Sequence, residues 1–333
     1  MASENLEEVP DTGKSIAVIG GGTMGADIAA SFAACGWAAH IVNPADVMLD
    51  TMPERLRSAM SKLGKAFEDE DFTHHLQLSS VPWKQIDLVI EAVPENIEIK
   101  REIFAQLEAL ANPDTPLCSN SSAIPIGKIG EGLKSQQRMV GTHYFMPAHI
   151  VPAVEVVCSR LTDVKVADRV AEYLRGVDKV PVRVKLDIPG FLANRIQHAL
   201  SREAINLVER GIATPEDVDN AVRYGFGFRY IAAGPLLQRD HAGLDIHCAA
   251  GATIYPDLCN DAKPSRYMSE LVEEGNIGMK VKDGFYRWTP ERVAKEKARY
   301  ERALQGARAI IEAEDKSTKL EVNTPASFRG KPE

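Results

Sequence analysis

The run Gly20-Gly21-Gly22-Thr23-Met24-Gly25 constrains this chain more than any other feature, because it joins an apolar stretch, SIAVIG (15–20), to a small-residue-rich one, ADIAASFAAC (26–35). The first is strand-like and the second helix-like in residue type, and a third apolar run, AAHIVN (38–43), follows at once. Strand, glycine turn, helix and strand in succession predict a βαβ unit with a right-handed crossover. In such a turn Gly20 permits the tight bend, Gly22 lets the backbone approach a pyrophosphate, and Gly25 lets the helix pack closely on the strand. The helix start adds unpaired N–H groups and the positive end of a dipole. Gly20, Gly22, Thr23, Met24 and Gly25 are therefore the expected heart of a dinucleotide site.

The end of the second strand chooses between cofactors. An acid there would hold the ribose hydroxyls of NAD. This chain has Asn43, which still bonds a hydroxyl but carries no charge to repel a 2'-phosphate. No arginine follows closely to attract one, the next being Arg55 and Arg57. NAD is expected ahead of NADP, with Asp46 as a substitute acid.

Strand-like runs continue at IDLVIEAV (86–93), PLCSNS, MVGTHYF (139–145), AVEVVCS (153–159) and VPVRVK, with helical spacing at 53–67, 97–112 and 163–176. That alternation predicts a doubly wound, mostly parallel sheet covered on both faces. From Asp187 onward strand signals stop, and composition shifts at the Pro189-Gly190 corner. Helical stretches take over, with Thr214 before Pro215 and Glu216 marking one helix start. A length of 333 residues suits two domains. The expected fold class is α/β, an N-terminal Rossmann-type sheet domain over 14–187 and an all-helical domain over 188–313, between polar tails at 1–13 and 314–333.

A formal charge of −8 disfavours nucleic acid and anionic membrane, both of which reward clustered positive charge. No apolar run approaches the roughly 18 residues of a membrane span, and MASENLEEVPDTGK lacks the segments of a secretory or transit leader. Five cysteines without a CxxC pair indicate reduced thiols and a cytoplasmic setting. His74-His75, after the acidic EDEDF, reads as an exposed loop, and no metal site is expected.

Four polar residues lie downstream of the glycine turn: Ser122 in SNSSA, His143 in GTHYFMP, Glu155 in AVEVV and Asn194 in PGFLANR. Oxidising an alcohol with a nicotinamide requires a group that takes the hydroxyl proton, and histidine suits because its pKa lies near working pH. An antiparallel or adjacent pairing of two strands would set Glu155 on His143, orienting the ring and stabilising the imidazolium. Ser122 and Asn194 would then hold the substrate oxygen. Taken alone, these residues leave the commoner reading open, a structural histidine and an ordinary ion pair.

Together, VIGGGTMG, VIEAVPENIEIK, SNSSA, GTHYFMP, VEVV, DIPGFLANR, GPLLQRDHAGLD and GMKVKDGFY resemble the 3-hydroxyacyl-CoA dehydrogenase family, from Ser15 to Tyr286. The resemblance implies NAD-dependent hydride transfer on a 3-hydroxyacyl or related hydroxy-carboxylic substrate, with His143 as base and Glu155 as its partner. It also implies Ser122 and Asn194 as substrate contacts, Glu95, Lys100 and Asn120 at the cofactor, and a homodimer built mainly through the helical domain. His241 and His247 fall near that domain's core or contact rather than in a metal site.

The departures matter. Met146 replaces the asparagine of the family's His-x-x-Asn-Pro, Ala123 stands where a second serine is usual, and the stretch from Asn43 to Asp87, a CoA-gripping arm in CoA-using members, is shortened. MVGTHYFMPAHIVPAVEVV and VKDGFYRW are similar to a branch that acts on small carboxylic acids, pyridine alcohols and aldehydes among them, without CoA. A compact hydroxy acid or aldehyde is therefore an alternative substrate to a CoA thioester. The β-hydroxyacid dehydrogenases share the architecture but use a lysine, absent from Gly190 to Asn194. A non-catalytic, crystallin-like NADH-binding protein is a further alternative, against which the retention of all four polar residues argues.

Overall fold

The computed structural model describes residues 12–43, 51–314 and Leu320. Asp46 and most of both expected tails lie outside the described residues. One eight-stranded sheet comprises β1 (Lys14–Ile19), β2 (Trp37–Val42), β3 (Phe72–His75), β4 (Leu88–Glu91), β5 (Leu117–Ser119), β6 (Met139–Tyr144), β7 (Ala153–Val157) and β8 (Val180–Val184). Their order is β3-β2-β1-β4-β5-β6-β7-β8, parallel throughout except where β6 meets β7. The order reverses between β1 and β4, the place where open α/β sheets bind ligands.

Five helices accompany the sheet: α1 (Thr23–Ala33), α2 (Met52–Lys62), α3 (Ile97–Leu110), α4 (Ile126–Ile129) and α5 (Val164–Arg175). Alternate residues of β1 feed two cores. Ile16 and Val18 cluster with Ile28, Phe32, Met60 and Leu174 from α1, α2 and α5, whereas Ala17 and Ile19 cluster with Phe104, Leu107 and Ile126 from α3 and α4. A period of two with both faces buried is why the strand reads as one unbroken apolar run.

The connection from β6 to β7 is pinned from two sides. Asp27, buried in α1, accepts from the Ala148 N–H at 3.2 Å and lies 2.9 Å from His149 Nδ1. Lys179 donates from Nζ to the carbonyls of Ala148 (2.7 Å) and Val151 (3.3 Å). The hairpin held in this way sets His143 directly opposite Glu155.

Two expectations need correction. His74-His75 is not an exposed loop but part of the edge strand β3, with His75 buried. Its Nε2 lies 3.0 Å from His40 Nδ1 and its Nδ1 lies 3.1 Å from Ser80 Oγ. Burial, and after it a neighbouring imidazole, hold both His40 and His75 below the ordinary histidine pKa. The helix expected over 53–67 stops at Lys62, because Gly64 turns left-handed at φ +71° and Phe67 leaves to stack on Phe72 at 5.4 Å.

Beyond the sheet the chain is helical: α6 (Ala193–Glu209), α7 (Pro215–Asn220), α8 (Gly227–Arg229), α9 (Pro235–Ala242), α10 (Leu244–Ile254), α11 (Arg266–Glu273) and α12 (Pro290–Glu312). Two compact units result. The sheet unit runs to Ile212 and takes in Cys259–Glu274, and thus includes α6 and α11. The second unit holds Ala213–Leu258 and the chain from Gly275. Thr214 caps α7, its Oγ1 accepting from the Asp217 N–H at 3.2 Å ahead of Pro215 in the first turn. Among the described residues of the second unit only Ala233 and Gly251 are buried. No described helix is long and apolar enough to cross a membrane.

Candidate active site

The turn between β1 and α1 forms one half of the site. Gly20 sits at φ +108°, and a β-carbon there would lie 2.7 Å from the carbonyl oxygen of Ala92, so both backbone and space exclude a side chain. At Gly25 a β-carbon would lie 1.8 Å from the carbonyl oxygen of Gly20, which measures how closely α1 packs on the turn. Gly22 differs, since nothing lies within 4 Å of the place a β-carbon would take. The fold leaves that approach open, and α1 begins at the next residue with unpaired N–H groups.

A cavity of about 880 Å³ is lined by Gly20, Gly22, Thr23, Met24 and Asn43, along with Leu78, Ala92 and Val93. Asn43 follows β2, its N–H donating to the His75 carbonyl at 3.0 Å, where ribose hydroxyls are held in folds of this type. Open glycine backbone, a helix start and a hydroxyl partner at the strand end fit a dinucleotide. Glu95, Lys100 and Asn120 are not on the cavity wall.

The other half grows from the pairing of β6 with β7. Opposite residues of an antiparallel ladder put their side chains on one face, and His143 Nδ1 lies 2.7 Å from Glu155 Oε2 with both groups buried. The other carboxylate oxygen, Oε1, accepts from the N–H groups of Leu192 (2.9 Å) and Ala193 (2.8 Å) at the start of α6. Gly190 (φ +75°) and Phe191 (φ +49°), two left-handed residues in succession, turn the chain into that position. A phenylalanine held there costs energy, and burial of its ring 5.8 Å from the imidazole, with Phe145 at 4.7 Å, offsets it.

Burial pushes the Glu155 carboxyl up, but the hydrogen bonds from His143, Ala193 and Leu192 outweigh it and leave the group below the ordinary carboxylate value. An ionised carboxylate only accepts, so Nδ1 carries the donated proton and, in the neutral ring, Nε2 keeps its lone pair. This is an oriented base that can take a hydroxyl proton and whose imidazolium form Glu155 balances.

Asn194, in the first turn of α6, donates from Nδ2 to the Ser122 carbonyl at 3.1 Å. Ser122 itself sits in a loop gathered around Glu95, whose Oε1 accepts from Ser121 Oγ (2.6 Å) and from the N–H groups of Ser122 (3.0 Å) and Ala123 (2.9 Å). Burial raises Glu95, yet these bonds and Lys100 bring it below its ordinary value. Lys100 is wholly buried, its Nζ 2.7 Å from Glu91 Oε1 and 3.5 Å from Glu95 Oε2. Asn120 accepts on Oδ1 from the Tyr144 N–H at 2.9 Å, one residue beyond His143. Sequence reasoning passed over Glu91, which also accepts from Ser119 Oγ (2.6 Å) and the Val93 N–H (2.7 Å). The available signal was an acid inside the apolar run 86–93, nine positions before Lys100.

The sequence pattern of the 3-hydroxyacyl-CoA dehydrogenase NAD-binding domain matches residues 15–188, and that of the enzyme's C-terminal domain matches 190–288. The 5-formyl-3-hydroxy-2-methylpyridine 4-carboxylate 5-dehydrogenase of Mesorhizobium japonicum is 35% identical over 316 residues, spanning 91% of this chain and 99% of its own. A crystal structure of a dehydrogenase of that name, described as an NAD+ dependent dismutase, is similar at a TM-score of 0.85 and 33% identity, covering 91% of this chain and 99% of that one. The 3-hydroxybutyryl-CoA dehydrogenase of Clostridioides difficile is 32% identical over 280 residues, 81% of this chain and 98% of its own. With a glycine turn shaped for a dinucleotide and a buried His–Glu pair at the strand ends, this chain belongs to the 3-hydroxyacyl-CoA dehydrogenase family of NAD-dependent oxidoreductases.

Proposed function

We propose that the enzyme acts on a compact aldehyde or alcohol that bears its own carboxylate, a pyridine carboxylate among the candidates, without CoA. The likeness to the pyridine-carboxylate dehydrogenase along nearly its whole length carries this reading. The His143–Glu155 pair serves either branch. A bound nicotinamide supplies the hydride acceptor. The chain does the rest: Ser122 and Asn194 hold the substrate oxygen, His143 Nε2 takes the hydroxyl proton of an alcohol, or of the hydrate that an aldehyde forms with water before its oxidation to the acid, and Glu155 balances the imidazolium. Gly20, Gly22, Thr23, Met24, Gly25 and Asn43 hold the dinucleotide, while Glu95, Lys100 and Asn120 position the loop and strand around it. We place the division between the cofactor domain and the helical substrate and dimerisation domain at residues 187 and 188, and the working form as a homodimer in the cytoplasm.

A CoA thioester is the second reading, favoured by the likeness to 3-hydroxybutyryl-CoA dehydrogenase. The test follows nicotinamide absorbance with 5-formyl-3-hydroxy-2-methylpyridine 4-carboxylate and NAD, and separately with acetoacetyl-CoA and NADH. Turnover of the free acid with the thioester inert is expected, and the converse would transfer the assignment to the CoA-using branch. His143→Ala should abolish turnover and leave NADH binding within a few-fold; loss of both together would count against the role given to His143.

A further inference from the structure

A second cavity, of about 800 Å³, lies within the sheet unit between α6 and the segment 259–265, and it shares no residue with the dinucleotide cavity. That is the size of a small-molecule site. Its opposite wall is tied to α6: the Cys259 N–H donates to Glu203 at 2.8 Å, and Arg202 donates to the Asp261 carbonyl at 3.1 Å. Asn194 is part of the lining, so the cleft reaches the residue that bonds Ser122.

The charged lining is mixed: Arg195 and Arg202 follow Asn194 on α6 with His198 between them, the facing segment adds Lys263 and Asp261, and the acidic Glu209 stands at the far end of the helix. Arg195 is committed to the Pro189 carbonyl at 3.3 Å. On a helix rising about 1.5 Å per residue, His198 stands one turn, about 6 Å, from Asn194, and Arg202 about 12 Å. In a chain of net charge −8, a cleft lined by Arg195, Arg202 and Lys263 against Asp261 and Glu209, with His198 one turn from the asparagine, suits an anion.

We propose that this cleft receives the anionic end of the substrate. This rests on the dehydrogenase reading above and deepens it. His198 meets a carboxylate carried on the same small ring as the reacting carbon, one helical turn from Asn194. Lys263 meets an anion carried farther off, such as a phosphate of CoA. The two sources share their chemistry and differ in reach.

The experiment uses the full-length protein, His198→Gln and Lys263→Gln, with thermal unfolding to confirm that each folds. Binding by calorimetry and steady-state kinetics are measured with 5-formyl-3-hydroxy-2-methylpyridine 4-carboxylate, with the same aldehyde lacking its carboxylate, and with acetoacetyl-CoA. Loss of one charge-assisted hydrogen bond is roughly tenfold. His198→Gln should raise Kd and KM for the ring acid by about that factor, change kcat little, and leave the carboxylate-free aldehyde unaffected. An effect confined to Lys263→Gln and the thioester would assign the anion to the CoA phosphate in the same cleft. Equal effects on the ring acid and its carboxylate-free analogue, indifference of every ligand to both variants, or no binding of either anion by the wild type would each overturn the proposal. Anion binding that depends on His198 or Lys263 without any hydride transfer would instead sink the dehydrogenase reading and keep the cleft.

Discussion

Glu155 works with both oxygens, one on the imidazole of His143 and one on the first N–H groups of α6, so a single side chain aligns the proposed base with the helix that carries Asn194. Glu155→Gln keeps the shape but removes the charge that balances the imidazolium, and kcat should fall by at least about 100-fold with NADH affinity unchanged. Its pH signature follows from the sign of the shift. The folded carboxyl lies below its ordinary 4.5, so its contribution to stability is complete at neutral pH and is lost as pH falls through the folded value. In urea unfolding the advantage of the wild type over Glu155→Gln should therefore shrink in acid below pH 4.5, and an advantage that does not change with pH would contradict the bonding described. Glu91 and Lys100 offer a sharper case, since both are fully buried. Glu91→Gln leaves the buried Lys100 ammonium with only the longer contact to Glu95 at 3.5 Å and should cost at most about 3–5 kcal/mol. Adding Lys100→Met removes the weakly paired charge, so the double variant should recover part of that loss; a simple sum of two losses would mean that the two residues do not act as a pair.

The turn between β1 and α1 separates what folding needs from what binding needs. Gly25→Ala drives a β-carbon to 1.8 Å from a carbonyl oxygen and should destabilise the sheet unit, whereas Gly22→Ala meets nothing within 4 Å and should leave the melting temperature near wild type while NADH affinity falls. Measuring both quantities on both variants checks the division, and equal loss of stability in the two would refute it. The same contrast explains what was legible in the sequence. Strands buried on both faces, such as β1, announce themselves as apolar runs, and the glycine spacing marks the turn between them. The edge strand β3 does not, because Phe-Thr-His-His is four residues long and polar, and its strand character comes from pairing with β2 rather than from its own pattern. The His143–Glu155 pair was legible as two residues on neighbouring strands, but not the N–H groups of Leu192 and Ala193, since backbone donors leave no trace in side-chain identity. Lys100 is a related case. The resemblance places it at the cofactor, while Glu91, hidden at the end of an apolar strand, pairs with it in the fold.

For the whole molecule the two units differ in how they meet the demand for a core. The sheet unit buries both faces of its strands within one chain. The second unit buries only Ala233 and Gly251 among its described residues, and leaves Leu236 81%, Tyr255 73% and Phe228 70% exposed. Each large apolar side chain gains about 1.5–3 kcal/mol when fully buried, so covering these three would be favourable. A homodimer, as proposed above, would supply that cover with a second copy of the same face. Light scattering after size exclusion should then give twice the 36.4 kDa of one chain. Phe228→Asp with Leu236→Asp, placed where most of each side chain is already exposed, should shift the mass toward a single chain and lower the unfolding temperature. A wild-type mass of 36.4 kDa with one cooperative unfolding transition would mean that the second unit is stable without a partner copy, and the dimer proposal would fail.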